Sequence, residues 1–173
     1  MYAYITTGTF YFMKKITDKY PDETMILMLS PGTVLLWHET NGKTVFKSPR
    51  KYEIIHSCGT HAQKGFVACN HIPVRDEGRP IFEYDFTKRL KQVEQFPGFV
   101  SMRVLRPLSS DTYIVMTMWK DEESYTDWKS SESFKKSHQS KGLKSAENTG
   151  VFSGPSYVTT YVVGEEEDPA DKS

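Results

Sequence analysis

From Phe66 to Val163 the sequence alternates between segments patterned as strands and segments patterned as helices. Four of these segments are β-prone, and they span Phe66–Ile72, Phe99–Leu105, Thr112–Trp119 and Tyr157–Val163. One helix is predicted after the first strand and another after the third. The resulting order, β-α-β-β-α-β, is that of a ferredoxin-like α+β domain.

Apolar spacing and capping residues indicate where these helices lie. The first has four apolar side chains at intervals of four, four and three residues, which places them on one face: Phe82, Phe86, Leu90 and Val93. The second is predicted to begin after Asp121, a residue type that caps helix N-termini, and it carries Trp128. A further helix is predicted to follow it and to hold Phe134 and His138.

The first 64 residues are mostly strand-prone. Asn41-Gly42 is a strong hairpin signal, so Thr33–His38 is predicted to pair with Thr44–Lys47. A short helix is predicted after Ser48-Pro49, because proline is favoured at the first helical position, and it is expected to end before Gly59.

A ferredoxin-like sheet leaves one apolar face open, and a face of that size needs a cover. We expect residues 1–64 to supply the cover in place of a second subunit, so that one monomeric chain closes a pseudo-dimeric β-barrel. Residues 65–163 would form the ferredoxin-like domain, and the Glu-rich residues 164–173 would be a disordered tail. Pairing of two separate chains is the alternative.

Charge and composition exclude several classes of partner. Lys and Arg number 22, and so do Asp and Glu, so no basic field is available for nucleic acid. No apolar stretch approaches the roughly 20 residues of a membrane span, and no secretory signal is recognisable. Cys58 and Cys69 fit no CxxC spacing and are interpreted as reduced thiols, with a disulfide as the alternative. We therefore expect a cytoplasmic protein without nucleic-acid or membrane partners.

Familiar catalytic motifs are absent from the sequence. It contains no GxGxxG, GxxxxGK[ST], HExxH or GxSxG motif and no paired CxxC, which argues against the usual dinucleotide, phosphate, zinc-peptidase and serine-hydrolase sites. The aromatic content of 13% favours either a dense core or a pocket for a flat apolar molecule.

Two stretches near the C-terminus resemble a known signature. Thr117–Trp128 and Ser133–His138, together with Asn70 on the opening strand, resemble the IsdG-type haem-degrading monooxygenases of the antibiotic-biosynthesis-monooxygenase (ABM) superfamily. Further stretches resemble a longer branch known as HmoB, which is itself similar to a group of signalling proteins called target of RNAIII-activating protein. These stretches are residues 5–9, 38–46, 77–80, 103–107 and 155–161.

The resemblance implies a role for each of four site residues. His138 would be the proximal ligand of the haem iron, and Asn70 would donate a hydrogen bond towards the distal ligand, water or dioxygen. Trp128 would press on the porphyrin and help to distort it. Phe134 lies one turn before His138 and would contact the ring or anchor its helix. From the residues alone, Asn70 could instead be a polar strand end, Trp128 a core aromatic and His138 a surface residue.

The remaining histidines are not assigned to the site. His71 directly follows Asn70, and adjacent strand residues point to opposite faces, so His71 is interpreted as structural. His38, His56 and His61 match no partner motif, and we expect them at the surface. Trp119 is expected to pack in the core.

The resemblance therefore implies a haem-degrading monooxygenase that opens the porphyrin ring with dioxygen and releases iron. Haem would be both substrate and cofactor, and a reductant protein or small molecule would be the external electron donor. Two alternatives stay open. One is a non-catalytic haem-binding or signalling protein, and the other is a cofactor-free oxygenase of the same superfamily that acts on aromatic polyketides.

Overall fold

The structure, a computed structural model, describes residues 1–88, 90–131 and 150–164. These ranges contain eight strands and three α-helices. The strands are β1 (Tyr2–Gly8), β2 (Thr24–Ser30), β3 (Thr33–Thr40), β4 (Arg50–Gly59), β5 (Gly65–Pro73), β6 (Phe99–Pro107), β7 (Thr112–Trp119) and β8 (Tyr157–Val163). The helices are α1 (Phe10–Lys19), α2 (Arg79–Thr87) and α3 (Glu122–Lys129), with short 3-10 helices at Asp76–Gly78 and Leu90–Gln95.

The eight strands form a closed antiparallel barrel. Neighbouring strands follow the order β1-β3-β2-β8-β5-β7-β6-β4, and β4 pairs back to β1. Each half of the chain contributes four adjacent strands, and in both halves their order along the sheet is fourth, first, third, second. The predicted ferredoxin-like α+β fold and the barrel closed by the N-terminal half are confirmed. A domain boundary at residue 64 would fall in the connection between β4 and β5 and stays a prediction.

Strand register also repeats between the two halves. Leu36 on β3 lies opposite Thr6 on β1, and Val115 on β7 lies opposite Asn70 on β5. β3 and β7 hold the same place in their quartets, and Leu36 and Val115 are each the fourth residue of their eight-residue strands. By this register, Thr6 occupies the place in the first half that Asn70 occupies in the second.

The two seams between the halves differ in extent. β4 and β6 are joined through seven residue pairs, whereas β2 and β8 are joined through two, Met28 with Val163 and Leu29 with Val162. The β4–β6 seam therefore carries most of the hydrogen bonding that closes the barrel.

Side chains alternate across each strand, so every strand contributes to an inner and an outer layer. The barrel interior is an apolar core in which Trp37, Leu105 and Met116 are fully buried. Burial of side chains of this size stabilises a fold by about 1.5–3 kcal/mol each. The outer face of the second half carries its own core beneath α2 and α3, including Trp119, as expected for that residue. On the outer face of the first half, a separate apolar cluster contains Met13, Met25, Leu36 and Phe46.

A charged cluster is buried inside the barrel. Glu39 accepts hydrogen bonds from Trp37 Nε1 at 2.8 Å, from Arg103 Nε at 3.1 Å and from His61. The other ring nitrogen of His61 lies 2.7 Å from Ser101 Oγ. Burial by itself would raise the pKa of Glu39, but the hydrogen bonds of His61 and Trp37 and the positive charge of Arg103 hold it below its ordinary value.

The expectation that His38 and His61 lie at the surface is wrong. The His61 side chain is buried against Glu39, and His38 is fully buried. His38 is hydrogen-bonded to Thr44 Oγ1 at 2.9 Å and to Glu23 Oε1 at 2.7 Å. These partners satisfy both ring nitrogens, so burial leaves no polar atom of either ring unpaired. His56 is half-buried.

Two local predictions for the first half are also wrong. β3 pairs with β1 and β2 rather than with residues 44–47, and the turn before it contains Gly32 at φ 75°, where glycine is favoured. The segment after Ser48-Pro49 is β4 rather than a helix, because pairing with β1 and β6 outweighs a local capping signal. The structure also contains α1, capped by the Thr9 side chain, which was not predicted.

Other predictions fall on residues outside the described ranges. They concern the helix with Phe134 and His138 and the tail after Gly164. None of the helices within the described ranges has the length and apolar character that a membrane span requires.

Candidate functional site

A cavity of about 330 Å³ lies between the outer face of the second-half sheet and helices α2 and α3. Its volume is at the lower end of the roughly 300–1,000 Å³ range of ligand sites. The floor is built from β5, β6 and β7, whose outward side chains there are Ala68, Asn70, Ile72, Met102, Val115 and Thr117. Ala68 carries only a methyl group, which leaves space above the centre of the sheet.

The aromatic and aliphatic stripe predicted on one helical face forms one wall. Phe82, Phe86, Leu90 and Val93 all line the cavity. They do not belong to one continuous α-helix, because α2 ends at Thr87 and the last two residues lie in the following 3-10 helix. The shared face is therefore as predicted, whereas the single helix is not.

An adjoining wall is the segment that leads into β8, whose Phe152 ring lies 6.3 Å from that of Phe82 between centroids. Phe152 forms an isolated bridge with Val74, and the backbone N–H of Arg75 donates to the Val151 carbonyl at 2.8 Å. Ser153 Oγ donates to Asp111 Oδ2 at 2.7 Å. These contacts attach the segment to the end of β5 and to the β6–β7 turn, and they hold Phe152 at the cavity.

Asn70 supplies an unsatisfied polar atom in this otherwise apolar floor. Its Oδ1 is buried and has no hydrogen-bond partner among the described residues. A buried acceptor without a partner costs about 1–3 kcal/mol, and such groups in native proteins call for an explanation. A polar atom of a ligand, or of a water in the cavity, would satisfy it.

Trp128 forms part of the wall on α3. Its ring lies 5.4 Å from that of Trp119 and 6.4 Å from that of Tyr125, measured between centroids. Contacts of this kind fix the orientation of an aromatic side chain. Burial raises the pKa of Tyr125, so its hydroxyl stays neutral near pH 7.

His71 lies on the other face of β5, as predicted from its place next to Asn70. Its Nε2 is 2.8 Å from Thr159 Oγ1, and its ring stacks on Tyr157 at 4.5 Å with 4° between the planes. Burial, with a smaller contribution from the charge of Arg50, lowers the pKa of His71 to about 4. The ring is therefore neutral at physiological pH, in agreement with a structural role.

Two of the four predicted site residues come together in the described structure. Asn70 and Trp128 line the same cavity. Phe134 and His138 lie outside the described ranges, which end at Ser131 and resume at Gly150. The described chain thus ends three residues after Trp128 and resumes two residues before Phe152.

The cavity residues that sequence reasoning missed include Thr117, Lys129 and Phe152. Thr117 and Val115 are two residues apart on one strand, so their side chains point to the same face of the sheet. This alternation could have placed Thr117 on the floor of the cavity. Lys129 follows Trp128 and also lines the cavity, and Phe152 lies in the segment before β8. No local sequence pattern indicates that Lys129 or Phe152 lies at the cavity.

Comparison with known proteins places this cavity in a family context. Residues 65–140 match the model of the family described as antibiotic biosynthesis monooxygenase. The chain is 32% identical over 146 residues to the signal transduction protein TRAP of Staphylococcus aureus, covering 82% of this chain and 84% of that protein. It is 26% identical over 141 residues to a heme-degrading monooxygenase of Listeria monocytogenes, covering 82% and 81% respectively.

A solved structure described as that of a major regulator of staphylococcal pathogenesis has the same fold. The two chains superpose with a TM-score of 0.83 at 28% identity, over 96% of this chain and 100% of the other. The likeness therefore covers both halves of the barrel.

Proposed function

The chain belongs to the antibiotic biosynthesis monooxygenase family, and from that membership we propose that it is a haem-degrading monooxygenase. The observation that carries the proposal is that Asn70 and Trp128 line one apolar cavity in which Asn70 Oδ1 is buried without a described partner. The heme-degrading relative from Listeria monocytogenes supports the same activity.

The cavity suits a flat apolar ring. Phe82 and Phe86 form one wall and Trp128 another, so a planar molecule would bury both of its faces against aromatic side chains. The volume of about 330 Å³ accommodates the apolar body of such a molecule, with its polar edge directed to the mouth.

Each site residue then has a proposed task. His138 would bind the haem iron through one ring nitrogen, and Phe134 would contact the ring. The Asn70 amide would form a hydrogen bond on the opposite side of the ring, and the packed indole of Trp128 would press against it. Bound haem would supply the iron that activates dioxygen with electrons from an external donor. The apolar walls would exclude bulk water.

A second candidate function is a non-catalytic haem-binding or signalling protein. It is favoured by the 32% identity to TRAP, which exceeds the 26% identity to the heme-degrading relative, and by the TM-score of 0.83 to the staphylococcal regulator. A cofactor-free oxygenase acting on aromatic polyketides is the other alternative within the family, and it would not require His138.

We also propose a cytoplasmic location and a monomeric state. Cys58 and Cys69 are free thiols in the structure, as expected in a reducing compartment. Because residues from both halves close the barrel, a second subunit is not needed to cover the sheet. A mass near 19.9 kDa in sedimentation equilibrium is expected, and a mass near twice that value would contradict the monomer.

Titration with haemin tests the proposed function. The wild type is expected to form a one-to-one complex with a Soret band, which then decays in air after ascorbate is added in the presence of catalase. Catalase removes free peroxide, which bleaches haem without an enzyme. Iron released during the decay is captured with a ferrous chelator.

Two variants accompany the wild type in this experiment. His138→Ala is expected to lose tight binding or turnover, whereas His56→Ala, at a half-buried histidine outside the cavity, is expected to retain both. A stable complex without decay would favour the haem-binding or signalling protein. Absence of binding would contradict both haem functions.

A further inference from the structure

The cavity carries a positive charge at its edge. Lys129 is the one charged side chain among the described residues that line it, and the others are apolar, aromatic or uncharged polar groups. The residue as a whole is exposed, so its stem contributes to the wall while its ammonium group remains in water.

Among the described residues, no acid forms an ion pair with the ammonium group of Lys129. None of the ion pairs found in the described part of the chain includes Lys129. Its Nζ lies 5.3 Å from the centroid of the Tyr125 ring, a cation–π contact that leaves its hydrogen-bond donors available.

Two of the three acidic residues of α3 face a different depression. Glu123 and Asp127 line a shallow groove beside Gly98, on another side of the helix from the cavity. Lys129 and Trp128 lie on the cavity side. Glu123 and Asp127 are therefore directed away from the ligand site, and Lys129 is directed to it.

We infer that Lys129 recognises a carboxylate group at the edge of the ligand and is a specificity-determining residue of this cavity. The inference rests on the proposed function and specifies its substrate. The apolar ring would lie between Phe82, Phe86 and Trp128, and its acidic side chains would project at the mouth beside Lys129. A flexible lysine suits this position, because it can follow a carboxylate that remains partly in water.

Metal-free protoporphyrin IX and its dimethyl ester test this inference without any contribution from iron. Both share one ring, but only the diacid carries negative charge. Porphyrin fluorescence measures their dissociation constants for the full-length wild type, Lys129→Gln, Lys129→Arg and Lys120→Gln. Lys120 is an exposed lysine that lines the groove beside Gly98 and serves as the matched control.

The wild type is expected to bind the diacid more tightly than the ester. Lys129→Gln should weaken binding of the diacid by about three- to fivefold, the range of a partly solvated ion pair, and leave the ester unchanged. Lys129→Arg should preserve the preference, and Lys120→Gln should match the wild type. Raising the salt concentration should reduce the preference only where a cation is retained at position 129.

An equal loss of affinity for diacid and ester in Lys129→Gln would overturn the inference, since it would show a packing role instead. An unchanged preference in that variant, or absence of porphyrin binding by the wild type, would overturn it as well. A separate outcome tests the proposed enzyme activity. If the wild type discriminates between the two porphyrins but leaves haem intact, haem degradation is refuted, whereas the role of Lys129 in recognising the acid is supported.

Discussion

The indole N–H of Trp119 donates a hydrogen bond of 2.9 Å to the hydroxyl of Thr117, two residues earlier on β7. Thr117 belongs to the floor of the cavity, and the fully buried ring of Trp119 packs against Trp128 in its wall. A single polar contact thus connects the floor of the site to the aromatic residue that supports its wall.

Removal of this contact is expected to destabilise the protein. Thr117→Val retains the shape of the side chain but leaves the buried Trp119 N–H without an acceptor, which should lower the free energy of unfolding by about 1–3 kcal/mol. Thr117→Ser retains the hydroxyl and should lose less. Urea denaturation measures both, with Thr160→Val at an exposed position of β8 as the control. Equal stability of Thr117→Val and wild type would contradict this account.

Because the Oδ1 atom of Asn70 is unsatisfied among the described residues, we expect one substitution at this position to raise stability and to lower activity. Asn70→Leu replaces the buried amide with an apolar group of similar size, so the ligand-free protein should become more stable by about 1 kcal/mol. Under the proposed function, the same change should slow haem degradation. Thermal unfolding and the Soret decay measure the two effects, and Asn41→Leu at an exposed turn is the control. A loss of stability in Asn70→Leu would show that the amide is satisfied in solution.

Filling the cavity should abolish ligand binding without unfolding the chain. Ala68→Leu places a branched side chain in the open space above the floor. Under the proposed function, haemin should therefore no longer produce a Soret band with this variant. Circular dichroism and the urea midpoint should stay near the wild-type values. In contrast, Ala3→Leu inserts the same atoms into the filled barrel core and should cost about 1–3 kcal/mol. Retained haemin binding in Ala68→Leu would place the ligand elsewhere.

Because of the buried Glu39 carboxylate, we expect the free energy of unfolding to decrease at acid pH. Its folded-state pKa lies below the ordinary value of 4.5, so the unfolded chain takes up a proton more readily than the folded one. The stabilisation from Glu39 is therefore complete at neutral pH and is lost as the pH falls below about 4.5 and through the folded-state pKa.

Glu39→Gln isolates this contribution. It leaves the buried Arg103 and His61 without a carboxylate partner, which should cost about 3–5 kcal/mol at pH 7 and flatten the dependence of stability on pH. Glu53→Gln, at a more exposed ion pair with Arg106, should cost about 1 kcal/mol or less. Unfolding free energies between pH 3 and 7 provide the comparison, and parallel curves for wild type and Glu39→Gln would contradict the assignment.

The second half of the fold could be predicted largely from the sequence because its signals are local. The β-prone segments Phe99–Leu105 and Thr112–Trp119 coincide with β6 and β7, and the apolar stripe from Phe82 to Val93 lines the cavity. In the first half, Asn41-Gly42 carries a local hairpin signal, yet β3 takes β1 and β2 as neighbours. Hydrogen bonding between strands that are distant in sequence outweighs the turn preference of Asn41-Gly42. No local sequence pattern indicates which of these strands will pair.

The candidate site likewise contains some residues that the sequence indicates and others that it does not. Asn70 and Trp128 were recognised by resemblance, and strand alternation separated Asn70 from His71. The burial of His61 depends on Glu39, 22 residues away in sequence, so a lone histidine gave no indication of it. Likewise, the side of α3 that meets the cavity depends on how the helix packs on the sheet, which is why Lys129 was missed.

The covalent joining of the two halves bears on how such a barrel evolves. In a homodimer every substitution appears twice, so both sheets must keep room for a ligand if one does. Here Thr6 occupies the place that Asn70 holds in the other half, and the outer face beside it is filled by Phe46, Met13 and Leu36. In a single chain with two unequal halves, selection can act on the first half for packing and on the second half for its cavity. A substitution in one half does not impose the same substitution on the other.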